Sequence, residues 1–177
     1  MTFAPLLDTP RLALRPLRLR DFPFYWQLVG HPEVRRYLGG AAPRRARLSR
    51  FLHLLVVGRG SGAWLVCARP RGQAIGLVEL GPHKDGQDIE LSYQFHPRAW
   101  GRGLACEATE RVVTHGLLDV QLPRIIAETQ AANAASCRLL ERLGFAEDTR
   151  LTRFGNEQVI FTVPAPRTVE KSEIYIP

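Results

Sequence analysis

The chain has 177 residues, 45% of them hydrophobic and 23% charged, with a formal net charge of +7 at pH 7. This length suits one folded domain with a sizeable core, and no apolar run is long enough to cross a membrane. No signal-peptide pattern precedes Asp8, and the cysteines (Cys67, Cys106 and Cys137) show no paired spacing. We therefore expect a cytoplasmic protein with free thiols and no bound metal. The positive charge, nearly all arginine, suits a nucleic acid or a phosphorylated cofactor as partner.

The first half of the chain predicts one strand, two helices and a hairpin. Residues 1–10 are expected to form an irregular lead-in, and alternation of leucine with arginine predicts a strand over residues 11–17. Asp21 as N-cap and Pro23 in the first turn predict a short helix over residues 22–29, with a further helical turn over residues 33–38. Apolar residues spaced three and four apart predict a helix over residues 44–57. Residues 63–68 and 73–80 are expected to pair as a hairpin.

Two groups of side chains in this half have two interpretations each. The aromatic residues of the short helix (Phe22, Tyr25 and Trp26) either cover the core or form the wall of a substrate site, for which Trp64 is another candidate. The arginines over residues 44–50 form either a solvated helix face or a surface that meets an acidic substrate or RNA.

Residues 87–108 are the segment around which the chain is organised. Apolar and polar residues alternate over residues 87–95, which predicts a strand that ends at His96-Pro97. A turn with two glycines, Gly101 and Gly103, then leads into a helix that continues to residue 118. Converging backbone N–H groups and the helix dipole make such a turn an anion site, and we interpret it as a pyrophosphate site. A tight turn without a ligand is the alternative.

Two better-known phosphate motifs are absent from the chain. No Gly-x4-Gly-Lys-Ser/Thr string occurs, which excludes a P-loop. Cys106 stands where the third glycine of a dinucleotide-binding fingerprint should be.

The second half predicts two strands and a helix between them, followed by a final strand. A buried strand is expected over residues 123–129, and a helix follows with Asn133 as N-cap and Gly144 at its left-handed C-terminal position. Phe145 should pack back on Leu140, and strands are expected to begin at residue 145 and over residues 156–163. The element order predicts an α/β (α+β) domain over residues 1–163, with helices around one mixed sheet, and a proline-flanked tail over residues 164–177.

Three motifs stand in order along the chain: Arg98-x-x-Gly101-x-Gly103-x-Ala105, Asn133-x-x-Ser136 and Leu143-Gly144-Phe145. In their order and spacing they resemble the GCN5-related N-acetyltransferase (GNAT) superfamily, and within it the ribosomal-protein N-terminal acetyltransferase branch (RimJ/RimL-like). The Thr9-Pro10-Arg11 opening is similar to that branch as well. The resemblance covers about residues 7–163.

The resemblance implies a mostly antiparallel sheet in which two central strands splay apart to form the acetyl-CoA cleft. Those strands are residues 87–95 and 123–129, and the pantetheine arm is expected along the free edge of residues 93–96. No metal is implied. The implied cofactor-binding residues are Phe95, His96, Arg98, Ala99, Trp100, Gly101, Arg102, Gly103, Leu104, Ala105, Asn133 and Ser136.

The resemblance also implies direct attack of a neutral amine on the thioester. Glu90 is the carboxylate best placed to act as a base, although a solvated strand residue would look the same in sequence. Many family members protonate the leaving thiolate with a tyrosine where this chain has Leu140, and Ser136 is implied in that role here. Asn133 is expected to bind the cofactor arm or its water, although Asn133 and Ser136 also suit helix capping alone. A backbone N–H near Phe95 or His96 is expected to stabilise the oxyanion.

The implied function is acetyl-CoA-dependent N-acetyltransfer to a primary amine, with a ribosomal-protein N-terminus of the alanine or serine type as acceptor. One alternative is a small amine, an amino acid or an antibiotic, although the first sixty residues offer few carboxylates for a cation. Another is a non-catalytic module that binds acyl-CoA or RNA; basic and aromatic residues do not interleave, so nucleic-acid binding is not expected. A monomer or a homodimer fits equally. The substrate-binding candidates are Phe22, Tyr25, Trp26, Trp64 and Tyr93.

Overall fold

An eight-stranded sheet organises the computed structural model of the chain, which describes residues 4–56, 62–86 and 88–166. The strand order across the sheet is β1-β2-β3-β4-β5-β6-β8-β7. The strands are β1 (Leu7–Asp8), β2 (Leu12–Pro16), β3 (Gly62–Ala68), β4 (Gln73–Pro82), β5 (Ile89–Phe95), β6 (Arg124–Gln130), β7 (Ala146–Arg153) and β8 (Asn156–Pro164).

Helices cover both faces of this sheet. They are α1 (Phe22–Leu28), α2 (Arg44–Val56), α3 (Leu104–Thr114), which continues into a π-helical turn (His115–Asp119), and α4 (Ala134–Arg142). On one face, Leu104 and Ala108 of α3 and Leu140 of α4 pack in the larger core cluster with Leu91 and Phe95 of β5. On the other face, helices α1 and α2 form a second cluster with β4. Because both faces are covered, the inner strands β3 and β4 are apolar on both sides.

The sheet opens between β5 and β6. Strand β5 pairs antiparallel with β4 along its whole length, from Ile89 opposite Pro82 to Phe95 opposite Gly76. Its parallel pairing with β6 is confined to one register position, Glu90 opposite Ile126. The two strands therefore separate beyond this position and leave a gap. The predicted mixed, mostly antiparallel sheet with splayed central strands is confirmed.

The ends of α4 follow the predicted capping pattern. The Asn133 side chain accepts a hydrogen bond from the Ser136 N–H at 3.3 Å. Gly144 has a φ of +82°, and its N–H donates to the Glu141 carbonyl while the Phe145 N–H donates to the Leu140 carbonyl, both at 3.0 Å. This pair of bonds is the Schellman arrangement, which satisfies the last carbonyls of a helix.

Two predictions in the first half of the chain are wrong. The lead-in is not wholly irregular, because Leu7 pairs with Leu14 and the short strand β1 extends the sheet. Residues 33–38 form a series of turns rather than a helix, with the Leu38 N–H donating to the Arg35 carbonyl at 3.0 Å. The predicted strand position 87, helix position 57, turn 58–61 and most of the tail (167–177) lie outside the described residues.

Within the residues that the structure describes, no helix has the length and apolar character needed to cross a membrane.

Candidate active site

The turn between β5 and α3 presents backbone N–H groups at its surface. Gly101 and Gly103 have φ values of +69° and +73°, a left-handed conformation that strains other residues. Leu104 then begins α3, whose first N–H groups have no carbonyl one turn earlier to bind. Among the described residues, the N–H groups of residues 101–106 donate no hydrogen bond to another protein group. These N–H groups and the positive end of the α3 dipole behind them are the features that an anion site at a helix N-terminus needs.

A group of partly exposed hydrogen bonds holds this turn to the start of the chain. The Glu107 carboxylate accepts hydrogen bonds from the Thr9 hydroxyl at 2.5 Å and from the Arg11 N–H at 3.0 Å, and it pairs with the Arg11 guanidinium at 2.5 Å. Arg11 also donates to the Arg102 carbonyl at 3.0 Å. Burial acts to raise the pKa of Glu107, but the hydrogen bonds from Thr9 and Arg11 lower it overall. The sequence analysis singled out Thr9 and Arg11 only as part of a family pattern and did not predict their contact with Glu107.

The side chains of the turn have different surroundings. Ala99 and Leu104 lie in the core, so only their backbone is accessible to a ligand. Trp100 is about half exposed, and its indole N–H donates to the Phe95 carbonyl at 2.8 Å. Arg98 donates to the Ala74 carbonyl at 2.6 Å, which fixes this arginine beside the turn.

The edge of β5 that faces the gap carries free peptide groups. The His96 N–H donates to the Ile75 carbonyl on the β4 side at 2.9 Å, so it is not free for an oxyanion. Because peptide directions alternate along a strand, the peptide groups of Tyr93 and Phe95 point into the gap. The Phe95 carbonyl is bonded to Trp100, whereas the Phe95 N–H and both peptide groups of Tyr93 have no strand partner among the described residues.

The gap leads into a cleft of about 350 Å³, here called the α4 cleft. Tyr93, Phe95 and Trp100 line it from the β5 side, and Asn133 and Ser136 line it from α4. Ala105 of α3 completes this side. Gln94 and the turns after α1, including Arg36 and Tyr37, close it from the other face of the sheet. The structure therefore brings together most of the residues implied by the resemblance.

A hydrogen-bonded pair of hydroxyl groups lies in the α4 cleft. The Tyr93 hydroxyl is 2.6 Å from the Ser136 hydroxyl. Burial raises the pKa of Tyr93 to about 12, despite the opposing effect of the Ser136 hydrogen bond. Leu140, at the position where many family members have tyrosine, is fully buried in the core. The phenol in this site thus comes from strand β5 rather than from α4.

A second cleft of about 380 Å³, here called the β8 cleft, opens on the opposite face of the sheet. Glu90, Glu128 and Tyr37 line it together with Phe154 of the β7–β8 turn. Burial raises the pKa of Glu90; the neighbouring His83 lowers it and the Glu128 carboxylate raises it further. Glu90 is therefore a half-buried carboxyl group rather than a solvated one.

Glu128 has its charge compensated within the β8 cleft. Its carboxylate lies 3.0 Å from His83 Nε2, 3.3 Å from Lys84 Nζ and 3.2 Å from Arg153 Nη1. Glu90, by contrast, forms no salt bridge among the described residues. In the part of the chain that the structure describes, no three His, Cys, Asp or Glu side chains are grouped closely enough to hold a metal ion.

Comparison with models of protein families assigns the chain to one family. The family described as "Acetyltransferase (GNAT) domain" matches residues 11–146. The chain belongs to the GNAT acetyltransferase family.

Curated relatives and solved structures agree with this assignment. The chain is 30% identical over 158 residues to the uncharacterized N-acetyltransferase YoaA of Bacillus subtilis (strain 168), covering 85% of this chain and 88% of YoaA. It resembles the crystal structure of an acetyltransferase from Agrobacterium tumefaciens str. C58 with a TM-score of 0.81 and 26% identity, over 90% of this chain and 94% of that one. The fold is also similar to spermidine N-acetyltransferase from Vibrio cholerae, solved with CoA and spermine (TM-score 0.76, 19% identity, 89% and 97% covered).

GNAT acetyltransferases use acetyl-CoA, and this chain has the features that such a ligand needs. A Cβ placed on Gly101 would meet no heavy atom within 4 Å, so the space in front of the turn is open. The free N–H groups of the turn match a diphosphate, and the free edge of β5 matches the amides of a pantetheine arm.

The aromatic residues expected at the substrate lie in different places. Tyr25 is buried against Phe51, and Phe22 packs on the same Phe51 ring. Trp64 is buried in the core, and its indole N–H donates to the Pro5 carbonyl at 2.9 Å. None of them lines the α4 cleft or the β8 cleft.

Trp26 and Tyr93 have other surroundings. The Trp26 ring lies 5.1 Å and 5.9 Å from the guanidinium carbons of Arg47 and Arg44. Tyr93 lies in the α4 cleft. Sequence reasoning missed Tyr37 and Gln94, for which the sequence carried no signal beyond their polarity.

Proposed function

We propose that this GNAT domain, assigned to residues 1–163, acetylates a primary amine, and that the acceptor is a protein N-terminus of the ribosomal alanine or serine type. The observation that supports this most is the gap between β5 and β6, which exposes the free peptide groups of Tyr93 and the free Phe95 N–H near the Tyr93–Ser136 pair. In this proposal the acetyl donor binds on the side of the gap where the β5–α3 turn lies, and the β8 cleft, which contains Glu90, lies on the other side.

The donor is bound mainly by backbone groups in this proposal. The N–H groups of residues 101–106 bind the diphosphate, and Arg98 and Arg102 add positive charge beside it. The peptide groups of Tyr93 bind the pantetheine amides. Bound acetyl-CoA supplies an activated thioester, and the Phe95 N–H is placed to donate a hydrogen bond to its carbonyl oxygen.

The reaction forms one C–N bond and breaks one C–S bond, and the electron pair leaves with the sulfur. The acceptor nitrogen loses a proton to Glu90, whose raised pKa makes it a stronger base than an ordinary glutamate. Ser136 donates a hydrogen bond to the departing sulfur. Tyr93, with a pKa of about 12, keeps its proton because a thiol has a pKa near ~8.5; it therefore positions Ser136 and does not protonate the sulfur.

The acceptor class follows from protonation and from charge. An N-terminal amine has a pKa near ~8 and is partly neutral at physiological pH, whereas a lysine side chain near ~10.4 is almost fully charged. A single base acting through water suits the N-terminal amine. A polyamine would need several free carboxylates, yet Glu128 is already paired with Lys84 and Arg153. This favours an N-terminal amine over a polycation.

The test is a thiol-release assay on the purified chain with acetyl-CoA. The acceptors are peptides that begin with alanine or serine, the same peptides with a blocked N-terminus, spermidine, an aminoglycoside and free amino acids. We expect release with the free peptides and none with the blocked ones. Release with small amines alone would contradict the N-terminal acceptor and leave acetyltransfer standing, and no release with any amine would contradict both.

A further inference from the structure

The Gln94 side chain in the α4 cleft is an unsatisfied polar group. Its Oε1 is buried and has no hydrogen-bond partner in the described residues. Buried amide oxygens in folded proteins nearly always have a partner, because an unpaired one costs the desolvation energy of the group. Gln94 also lines the α4 cleft. A ligand that enters this cleft with an N–H group would satisfy it.

The position of Gln94 in the sheet indicates which ligand that is. Gln94 lies opposite Leu77 in the β4–β5 register, and Leu77 packs in the cluster formed by α1 and α2. Cross-strand partners share a face, so Gln94 lies on the α1–α2 face. Tyr93 and Phe95 lie on the opposite face, toward α4 and α3. Gln94 is therefore on the side from which the acceptor approaches and not on the side of the Tyr93–Ser136 pair.

Glu90 lies on the same face as Gln94, four residues earlier along the strand. At about 3.3 Å per residue this places the two backbones about 13 Å apart, so Glu90 is reached from Gln94 through water. Tyr37 lines both the α4 cleft and the β8 cleft and so marks where the two meet. An amine at that place has Gln94 on one side and a water path to Glu90 on the other.

We propose that Gln94 Oε1 accepts a hydrogen bond from the N–H of the attacking amine and thereby orients its lone pair toward the thioester carbon. This inference rests on the acetyltransfer function proposed above. A neutral primary amine has two N–H groups and one lone pair. One N–H bonds to Gln94, the other donates to the water that leads to Glu90, and the lone pair forms the new C–N bond.

A neutral amide at this position also selects the protonation state of the acceptor. A carboxylate in its place would attract an ammonium ion and stabilise the unreactive, protonated form. The amide oxygen stabilises the protonated amine much less than a carboxylate would, so the amine can bind in its neutral form. Gln94 thus favours an acceptor that is already partly neutral, such as an N-terminal amine.

The test compares Gln94→Met with Gln73→Met, a matched change at an exposed glutamine of β4 outside both clefts. The probe is a synthetic peptide that begins with alanine. For Gln94→Met we expect KM for the peptide to rise and kcat to fall, so that kcat/KM drops about tenfold while the acetyl-CoA Kd stays nearly unchanged, because the lost bond both holds the amine and orients it. Thermal stability should not fall, because the change removes an unpaired polar group. Gln73→Met should change none of these values.

A second variant, Gln94→Glu, tests the charge argument. We expect the acidic limb of its pH–rate profile to move to higher pH, because the new carboxylate raises the pKa of the bound amine. An unchanged peptide KM in Gln94→Met would overturn the inference. A weakened acetyl-CoA Kd with an unchanged peptide KM would also overturn it, because the N–H bonded to Gln94 would then belong to acetyl-CoA and not to the amine. If the wild-type chain acetylates no amine, it is the proposed function that fails.

Discussion

The hydrogen bond between Tyr93 and Ser136 makes a quantitative prediction about turnover. Tyr93→Phe removes only the hydroxyl that lies 2.6 Å from Ser136 and leaves the ring in its place. A hydrogen bond of this kind contributes about 0.5–1.5 kcal/mol net, and 1.36 kcal/mol corresponds to a factor of ten in rate. If the bond positions Ser136 toward the departing sulfur, kcat falls about tenfold. The acetyl-CoA Kd should stay within about twofold, because the diphosphate and pantetheine contacts are backbone contacts.

The assay is a double-mutant cycle with Tyr93→Phe, Ser136→Ala and the double variant, measured by thiol release at saturating acetyl-CoA. Because Tyr93 acts through Ser136, the double variant should be no slower than Ser136→Ala, with a coupling energy of about 1.4 kcal/mol that equals the whole tenfold loss. The wild-type rate should show no alkaline fall from Tyr93 below about pH 11, because the Tyr93 pKa is about 12. Independent, multiplying losses or an unchanged kcat in Tyr93→Phe would refute the positioning role.

Three further predictions concern the base, the turn and the core. Glu90→Gln should lower kcat and remove from the acidic limb of the pH profile the step that belongs to Glu90, whose apparent pKa in the wild type should lie above the ~4.3 of a free glutamate, while the step that belongs to the acceptor amine remains. Gly101→Val should weaken acetyl-CoA binding, measured by calorimetry, because its φ of +69° disfavours a branched side chain. Arg15→Met should destabilise the fold by about 3–5 kcal/mol in urea unfolding at pH 7, because Asp21, only 8% exposed, loses its bidentate partner.

The last of these predictions also has a pH dependence. Burial acts to raise the pKa of Asp21, but the Arg15 hydrogen bonds and the Arg18 N–H lower it overall. A depressed folded-state pKa stabilises the protein above the unfolded value of ~3.9, and this contribution is lost as the pH falls through the folded value. The difference in stability between wild type and Arg15→Met should therefore shrink at acidic pH, and a constant difference would contradict the assignment.

Local features of the site were predictable from the sequence because they depend on neighbouring residues. Gly103 has a positive φ in its turn, Asn133 caps the start of α4 and Gly144 has a positive φ at its end. Each of these features depends on a signal within a few positions of the sequence. The pairing of β3 with β4 as a hairpin was predicted from local signals in the same way, whereas its register, which shifts between Val66 and Cys67, was not.

Features that depend on tertiary packing were not predictable. Tyr93 and Ser136 are 43 positions apart and meet only because α4 packs on β5. The polar alternation of β5 suggested a strand with one wet face, but Glu90 lies beside Glu128 and the β7–β8 turn in the β8 cleft, so it is half-buried with a raised pKa. Tyr25 and Trp64 lie in the core. This position was not predictable, because nothing local in the sequence indicates which face of the fold an aromatic side chain meets.

The measurement that tests the central claim most directly is the site of acetylation on one peptide. The peptide begins with a free alanine and carries one internal lysine, and mass spectrometry with fragmentation locates the acetyl group after reaction with the wild-type chain and acetyl-CoA. The account predicts one acetyl group on the N-terminal amine for each thiol released, and none on the lysine. Acetylation of the lysine, or thiol release without acetylated peptide, would contradict it.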